Sequence, residues 1–310
     1  MEILTLKNKI EAPVCFALGF FDAVHIGHQK VIKAAVDYAL ENGIKSAVFT
    51  FSDKDGMLSK KSGSGYIYSE KKRQEIFSSL GVDYVVMPDF KDINELSPKD
   101  FVELLCKRYN AKAFFCGEDF TFGKNAEGNS KLLSKMAESF GAKAFIIKQI
   151  SFENKKVSST YIKELLKRGD VKKVKALLNR EYSFIGKVVD GKKIGSKQLY
   201  PTINLNIPEN EILLKFGVYA SLCKVNDKIY PAVTNIGVRP TVNASEKGAS
   251  VETYILNENL NLYNKEAEIF FLSFLRDEKK FSSVSELKEQ ISKDIILSQN
   301  EYDIFIKRQG

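Results

Sequence analysis

Both histidines of the 310-residue chain lie in one short segment. His25 and His28 are three residues apart, and Gly27 stands between them. The apolar run Val14–Leu18 predicts a buried strand before them, and apolar residues at helical spacing after them predict a helix that ends at Gly43. A turn from a strand into a helix brings backbone N–H groups and the helix dipole to one point, which suits a phosphate. The segment therefore predicts a nucleotide site.

The histidine pair allows two other interpretations. A random H-x-x-H pair is more often structural, but here both histidines of the chain occur at a strand–turn–helix junction, which favours function. A zinc site is disfavoured, because no third or fourth ligand follows at zinc-finger spacing. Two imidazoles three residues apart on a helix are expected to share one face.

Strand and helix patterns alternate through the first half of the chain. The strands are predicted at 14–18, 46–51, 84–87, 113–116 and 144–147, and the helices near 28–42, 69–80, 97–109 and 129–140. Ser97 and Pro98 are a typical helix start, with a capping serine and proline at the first helical position. This alternation predicts a Rossmann-like α/β fold, a parallel sheet covered by helices, with ligands at the carboxyl ends of the strands.

The pattern changes after Tyr182. Two short helical segments within 158–180, broken at Gly169-Asp170, precede β-branched and aromatic runs at 186–190, 203–205, 218–225, 229–234, 251–256 and 267–274. These runs, with Asn226-Asp227 as a hairpin turn, predict a closed or nearly closed antiparallel β-barrel. An amphipathic pattern over 284–295 predicts a terminal helix. We expect two domains, 1–180 including the linker helices and 181–310.

The net charge of +8 raises the question of a nucleic-acid partner. All but seven of the 47 basic residues are lysines, and they are spread along the chain. Lys71-Lys72-Arg73 is therefore interpreted as a solvated face. No apolar stretch has the length of a membrane-spanning helix, and no signal pattern begins the sequence. We expect small-molecule substrates, no nucleic-acid or membrane partner, and a monomer or weak homo-oligomer.

Cysteine usage indicates the cellular compartment. Cys15, Cys106, Cys116 and Cys223 are scattered and form no C-x-x-C pair. We expect reduced core residues rather than metal ligands or disulfides, which predicts a cytoplasmic protein.

Three segments of the first half resemble known nucleotide-binding motifs. His25-Ile26-Gly27-His28 resembles the H-x-G-H signature of nucleotidyltransferases and class I aminoacyl-tRNA synthetases, which binds ATP and stabilises charge on its α-phosphate. Residues 116–123 (CGEDFTFG) and 157–163 (VSSTYIK) resemble two segments of bacterial FAD synthetases, G-x-D-F-x-F-G and S-S-T-x-I-R. The resemblance implies that His25 and His28 are catalytic. It assigns ATP binding to Gly19, Phe20, Phe21, Asp22, Gly27, Ser158, Ser159, Thr160 and Lys163, and flavin binding to Gly117, Asp119 and Phe120.

Motifs of the second half resemble those of riboflavin kinases, in the order of that family. They are LYPTINL at 199–205, FGVY at 216–219, NIGVRPT at 235–241, VETY at 251–254 and FLRDEKKF at 274–281. The resemblance covers nearly all of residues 183–295. Taken with the first half, the whole chain resembles bacterial bifunctional riboflavin kinase/FAD synthetases.

The kinase resemblance implies roles for five residues. Thr202 and Asn204 would hold the Mg²⁺ that bridges the nucleotide phosphates, since this hard cation prefers oxygen ligands. Glu252 would be the catalytic base, and we expect this carboxylate to face the barrel interior. Gly195 would contact ATP, and Asn204 and Arg276 would contact the flavin.

The leading hypothesis is one chain with two sequential activities. The second half would phosphorylate riboflavin to FMN with Mg-ATP, and the first half would adenylylate FMN to FAD with release of pyrophosphate. Ala23 stands where that family has glycine, Ser52-Asp53-Lys54-Asp55 replaces a proline–histidine–proline pattern, and Lys163 replaces an arginine, losing its planar fork. The alternative is therefore a riboflavin kinase with a weak or inactive nucleotidyltransferase-like domain.

A third hypothesis is an RNA-binding or tRNA-charging protein. It rests on the H-I-G-H sequence, the net charge and the faint likeness of residues 57–61 to the synthetase lysine loop. That loop does not belong so soon after the histidines, and no anticodon-reading domain is evident, so this hypothesis is disfavoured.

Overall fold

The computed structural model describes residues 1–53, 56, 65–189, 200–206, 210–238, 249–258 and 262–308. The chain divides into two compact units, Met1–Ser159 and Thr160–Gly310. The first compact unit thus ends at residue 159, before the two linker helices. The predicted boundary at residue 180, which assigns these helices to the first domain, stays a prediction. Within the described ranges, no helix is long and apolar enough to cross a membrane.

The first unit contains a parallel sheet and the helices between its strands. The strands are β1 (Glu2–Leu4), β2 (Val14–Leu18), β3 (Lys45–Phe49), β4 (Tyr84–Val86), β5 (Ala111–Gly117), β6 (Thr121–Phe122), β7 (Gly128–Asn129), β8 (Lys143–Ile147), β9 (Ser151–Phe152) and β10 (Lys155–Lys156). The helices are α1 (Ile26–Asn42), α2 (Glu70–Ser79), α3 (Pro98–Arg108) and α4 (Ser130–Ser139). Phe90–Asp92 and Lys124–Ala126 are single 3₁₀ turns.

The order of the strands creates a crevice in the middle of this sheet. The order is β1-β4-β3-β2-β5-β8, and each neighbouring pair is parallel. From β2 the chain proceeds to β3 and β4 on one side, and β5 and β8 follow on the other side. The reversal lies between β2 and β5, where open α/β sheets bind ligands at the carboxyl ends of the strands. The predicted parallel sheet is confirmed.

Local signals explain where the helices of this unit begin and end. The Ser97 hydroxyl accepts a hydrogen bond from the N–H of Asp100 at 3.1 Å, and Pro98 occupies the first turn of α3. Gly43 ends α1 in the left-handed conformation (φ 63°), as its position after the last periodic residue predicts. β1 lacks a sequence signal because it has only three residues, of which only Leu4 is buried.

The second unit contains two short helices, a barrel and a long terminal helix. The helices α5 (Ser159–Arg168) and α6 (Val171–Leu178) precede β11 (Tyr182–Val189), β12 (Thr202–Leu205), β13 (Gly217–Val225), β14 (Lys228–Val238), β15 (Ala249–Ile255) and β16 (Glu266–Arg276), and α7 (Val284–Lys307) follows. The described strands close in the order β11-β12-β15-β14-β13-β16 with antiparallel pairing. The predicted antiparallel barrel with a terminal helix is confirmed, and it is closed.

Two features fix the register of this barrel. Asn226 and Asp227, with φ of 47° and 62°, form the two-residue turn between β13 and β14, as their residue types predict. Inside the barrel the hydroxyls of Ser221, Thr234 and Thr253 form a chain, with O–O distances of 2.8 and 2.9 Å. All three side chains are buried, and their strand neighbours Leu222 and Val233 point to the opposite side, which packs against the terminal helix, so the hydroxyls lie in the barrel interior.

The outer side of the barrel is partly covered by α7. Ile295 packs against Val218, Val233 and Leu256, and other residues of α7 contact a second apolar cluster that includes Leu222. The Ser298 hydroxyl donates to the carbonyl of Ala232 at 2.6 Å, which ties the helix to β14. The four cysteines of the chain are free, and Cys15, Cys116 and Cys223 are buried as predicted for core residues, whereas Cys106 is half-buried.

Candidate functional site

A cavity of about 910 Å³ lies at the carboxyl edge of the parallel sheet, where the strand order reverses. Its walls come from the loop after β2, the loop after β5 and the segment before α5. Most residues assigned to catalysis, ATP and flavin in this half line it: Gly19, Phe20, Phe21, His25, Gly27, His28, Gly117, Asp119, Phe120, Ser158 and Ser159. The fold therefore brings segments more than 100 residues apart to one concave surface.

The two histidines stack on each other at the start of α1. Their ring centroids are 3.6 Å apart, with 17° between the planes. His25 caps the helix, since its Nδ1 accepts a hydrogen bond from the N–H of His28 at 3.2 Å. In the neutral ring this leaves the proton on Nε2, which can donate to a ligand oxygen. The prediction that both imidazoles share a face is confirmed.

The loop that leads to the histidines has an unusual backbone. Phe21 and Val24 have φ of 52° and 42°, and both side chains are buried. Such a conformation costs about 1–3 kcal/mol per residue and persists only where the surroundings enforce it. Gly27 contributes to the same geometry, because a Cβ at this position would lie 3.2 Å from the His25 ring. Gly27 thus leaves space for the imidazole of His25. This explains the glycine at this position in addition to the predicted close approach of a nucleotide.

Aromatic rings form much of the cavity wall. Phe20 and Phe51 stack with centroids 4.7 Å apart, and Phe90 continues this surface at 5.0 Å from Phe51. Phe120 and Phe122 form another stacked pair at 5.6 Å. All five residues line the cavity. A planar apolar ring is the ligand group that such a wall accommodates.

Polar groups occupy other parts of the same cavity. Lys156 forms an ion pair with Asp119, with an N–O distance of 2.7 Å. Burial would raise the pKa of Asp119, but the hydrogen bond and charge of Lys156 hold it below its usual range. Ser158 and Ser159 add hydroxyl groups to the cavity. Hydroxyls and an ammonium in the same cavity as the imidazoles can donate to phosphate oxygens.

Three residues assigned to ATP are absent from the described lining of this cavity. Asp22 is 3% exposed and is absent from the described cavity lining, and its carboxylate accepts a hydrogen bond from the N–H of Ile67 at 2.8 Å. Thr160 and Lys163 belong to the second compact unit. Their assignment to ATP stays a prediction.

The interpretation of Arg73 as a solvated residue is wrong. Its side chain is 4% exposed and donates to two main-chain carbonyls at the carboxyl edge of the sheet. Its neighbour Lys71 is exposed as predicted, and Lys72 is half-buried and pairs with Glu75. Three adjacent basic residues on a helix point in different directions, so the run of letters gave no information about which one is buried.

The residues assigned to the kinase lie on the outward side of the barrel. Asn204 on β12 is the cross-strand partner of Glu252 on β15, and Glu252 is also the partner of Asn235 on β14. Thr202 is two residues from Asn204 and therefore shares its face. The register thus places Thr202, Asn204, Glu252 and Asn235 on one face of three adjacent strands, which we call the barrel polar face.

The expectation that Glu252 faces the barrel interior is wrong. Its neighbours Val251 and Thr253 are buried, whereas Glu252 is half-buried. Thr253 belongs to the hydroxyl chain inside the barrel, and successive side chains of a strand point to opposite sides. Glu252 consequently points outward, where a carboxylate can stay charged and meet a ligand without the cost of full desolvation.

Arg276 is held by the terminal helix. Its Nε and Nη2 donate to the carboxylate of Asp294 at 2.8–3.1 Å, and its Nη1 donates to the carbonyl of Asp277. Asp294 is 2% exposed on its side chain, so this pair anchors the end of β16 to α7. The contact of Arg276 with flavin stays a prediction. Gly195 and motif residues 239–241 lie outside the described residues.

Sequence reasoning missed several residues of both regions. Phe51, Phe90 and Lys156 line the cavity, and only their place in the fold identifies them. Phe122 also lines it, and it belongs to the segment 116–123 but was assigned no role from the sequence. Asn235 belongs to a recognised motif but received no role, and only the strand register shows that it lies beside Glu252. The oxygens of Thr202 and Asn204 are hard donors of the type that Mg²⁺ requires. Among the described residues, no cluster of three histidine, cysteine or acidic side chains could hold a metal.

Comparison with known proteins assigns each half of the chain. A model of the FAD synthetase family matches residues 7–161, and a model of the riboflavin kinase family matches residues 178–301. A bifunctional riboflavin kinase/FMN adenylyltransferase of Buchnera aphidicola is 32% identical over 96% of both chains. The protein of that name in Bacillus subtilis is 33% identical over 93% of this chain and 92% of its own.

A similar structure has also been solved. A crystal structure of a protein described as a macrolide-efflux protein from Streptococcus pneumoniae aligns with a TM-score of 0.85 and 25% identity, covering 96% of this chain and 99% of that one. The two family models together span nearly the whole chain, and the curated relatives match it almost end to end. The chain therefore belongs to the family of bifunctional riboflavin kinases/FMN adenylyltransferases.

Proposed function

We propose that this chain makes FAD from riboflavin in two steps at two separate sites. Riboflavin is phosphorylated by ATP at the barrel polar face, and the FMN formed is adenylylated by a second ATP in the cavity of the first unit. The observation that carries this proposal is that the matches to both enzyme families fall on the two regions where the fold assembles polar side chains.

In the kinase step, Glu252 acts on the ribityl hydroxyl of riboflavin. The carboxylate takes the hydroxyl proton as the oxygen attacks the γ-phosphorus of ATP, and ADP leaves. Its outward orientation gives it access to substrate, and its two cross-strand neighbours are amides that can orient it. Thr202 and Asn204 would hold Mg²⁺, which when bound neutralises charge on the phosphates of ATP.

In the adenylyl step, FMN and ATP both bind in the cavity at the sheet edge. A phosphate oxygen of FMN attacks the α-phosphorus of ATP, and pyrophosphate leaves. His25 and His28 donate to the charge that develops on the α-phosphate, because preorganised donors stabilise such charge most effectively. Ser158, Ser159 and Lys156 are the further donors that line this cavity.

The aromatic wall of the cavity would receive the isoalloxazine ring of FMN. Phe20, Phe51 and Phe90 provide a continuous surface of rings, and the predicted flavin residues Asp119 and Phe120 line the same cavity. A stacked flavin would gain apolar burial and ring–ring contact there. Small molecules are therefore the proposed partners, and the cytoplasmic location and the monomeric or weakly oligomeric state stay predictions.

The test is to separate the flavins formed from riboflavin and Mg-ATP by the purified full chain. The expected result is FMN first and FAD later, with one pyrophosphate released per FAD. If no FMN forms, the kinase assignment is wrong. If FMN accumulates without FAD, even when FMN is supplied and pyrophosphatase is added, the alternative of an inactive first unit is correct. Omitting Mg²⁺ in the presence of a chelator should stop FMN formation.

A further inference from the structure

A buried arginine lies directly behind the aromatic wall of the adenylyltransferase cavity. Arg73 is on α2, and its guanidinium donates through Nη1 to the carbonyl of Phe20 at 3.0 Å and through Nη2 to the carbonyl of Phe51 at 3.2 Å. Nη1 also donates to the hydroxyl of Thr50 at 3.3 Å. These acceptors lie just beyond the carboxyl ends of β2 and β3.

The two carbonyls belong to the two rings that stack on each other. Phe20 and Phe51 lie 4.7 Å apart with 12° between their planes, and both line the cavity. The Arg73 guanidinium also lies 5.2 Å from the Phe20 ring centroid. Thr50 completes the network, because its hydroxyl donates to the carbonyl of Phe20 at 2.7 Å. One side chain therefore joins the loops that follow two adjacent strands and that carry the two stacked rings.

Burying this charge has a cost that a purely apolar contact would avoid. Desolvation lowers the pKa of Arg73, and the nearby negative charges of Asp22 and Glu70 oppose that shift. A planar guanidinium with several fixed donors can bridge two carbonyls, which the point charge of a lysine cannot do equally well. Asp22, buried at 3% exposure on the same loop as Phe20, is the nearby carboxylate that compensates the charge.

We propose that Arg73 is a positioning residue for FMN adenylylation, which holds Phe20 and Phe51 in the stacked geometry that receives the flavin ring. The inference rests on the proposed function of the cavity and deepens it. Arg73 itself lies behind the wall and is absent from the described cavity lining, so it acts through the two phenylalanines. Its loss should weaken FMN binding while leaving the phosphate-binding histidines in place.

The test compares Arg73→Met and Arg73→Lys in the full chain, with FMN supplied directly. For Arg73→Met the KM for FMN should rise about tenfold, since misplacing a wall by a fraction of an ångström weakens the fit of a rigid ring. The KM for ATP in FAD formation should rise less than the KM for FMN, because Phe20 alone of the stacked pair is also assigned to ATP. The riboflavin kinase activity should change less than about twofold, because the barrel polar face does not include this wall. Arg73→Lys should recover part of the affinity, with a KM raised about threefold.

Arg108→Met is the matched control. Arg108 also lies in the first unit and donates to two main-chain carbonyls, those of Asn8 and Lys7, both at 3.0 Å. It is absent from the described lining of the cavity. Its loss should leave the KM for FMN unchanged, which separates the position of Arg73 from a general effect of removing an arginine.

Three outcomes would overturn the proposal. One is a folded Arg73→Met protein with an unchanged KM for FMN, and another is an equal rise of the KM for FMN and for ATP, which indicates general damage. The third applies if Arg73→Met does not fold, in which case the KM for FMN is measured for Arg73→Lys, for Phe51→Leu and for the double variant. If the two variants raise the KM for FMN by factors that simply multiply in the double variant, Arg73 does not act through the stacked pair. Failure of the wild-type chain to form any FAD would instead reject the proposed function.

Discussion

The two proposed sites handle the same nucleotide in different structural ways. The cavity of the first unit is formed by loops after parallel strands. Its histidines are placed by a strained loop at a helix start, and aromatic rings form much of its wall. The barrel polar face is formed by the strands themselves, whose pairing places Thr202, Asn204, Glu252 and Asn235 side by side. In the first unit the position of a group depends on loop conformation, and in the second it depends on register. A substitution in one region should therefore reduce the activity proposed for that region and leave the other activity unchanged.

The largest effect is expected from Glu252→Gln. The amide keeps the shape of the side chain but cannot take a proton, so FMN formation should fall about 1000-fold, within the range of general base catalysis. Conversion of supplied FMN to FAD should stay unchanged. Both rates are measured by flavin chromatography on one preparation, and a parallel loss of FAD formation in a folded protein would contradict separate sites.

His28→Ala should give the reverse pattern. Removing one preorganised donor to the α-phosphate is expected to slow FAD formation about 100-fold. His25 would also lose its stacking partner, so the change acts on both rings of the pair. FMN formation from riboflavin, measured in the same assay, provides the control, and it should match that of the wild-type chain.

A smaller effect, on the kcat of the kinase, is expected from Asn235→Ala on the barrel polar face. The amide is the cross-strand neighbour of Glu252, and its loss should leave the carboxylate less well oriented. We expect the kcat of the kinase to fall about tenfold, a size typical of residues that orient a functional group. Asn226→Ala in the distant hairpin turn should not change this kcat, although it should reduce stability, because Asn226 has a positive φ.

The smallest effect concerns acid stability and lies outside both sites. Hydrogen bonds from the N–H and hydroxyl of Ser282, together with Lys279, lower the pKa of Glu286 from 4.5 to about 2. A depressed carboxylate contributes stability above pH 4.5, and the contribution disappears as pH falls towards 2. Glu286→Gln should therefore reduce Tm slightly at pH 7 and leave it nearly unchanged at pH 2. Equal changes at both pH values would contradict this linkage.

The sequence predicts the fold well where patterns are local. The capped start at Ser97, the glycine stop at Gly43 and the turn at Asn226-Asp227 each follow from residue types that favour one backbone conformation. No local pattern predicts the order of strands in the sheet, although the alternation of strands and helices limits that order to a few choices. Both domain classes were predictable for this reason.

The candidate sites were predictable only in part. His25 and His28 stand out because no other histidines occur and because they adjoin a predicted strand and helix. Glu252 was identified by its motif, but its direction depends on which side of β15 faces inward, and Thr253 occupies the inner side instead. Threonine and serine occupy positions inside the barrel, on the side of the strands opposite to Glu252. Arg73 was missed because its hydrogen-bond acceptors, the carbonyls of Phe20 and Phe51, are distant from it in the sequence and come close only in the fold.

The hydroxyl chain of Ser221, Thr234 and Thr253 has a consequence for catalysis on the opposite surface. Each hydroxyl meets its partner only when the three strands are paired as observed. A slip of one residue in β15 would break a contact sealed away from water, and it would also turn Glu252 into the barrel lumen. In the proposed kinase step, substrate and Glu252 meet on the outside of the barrel, and the row of hydroxyls on the inside fixes the strand alignment that keeps the carboxylate there. We therefore expect that a substitution of an internal hydroxyl can reduce kinase activity without touching a ligand.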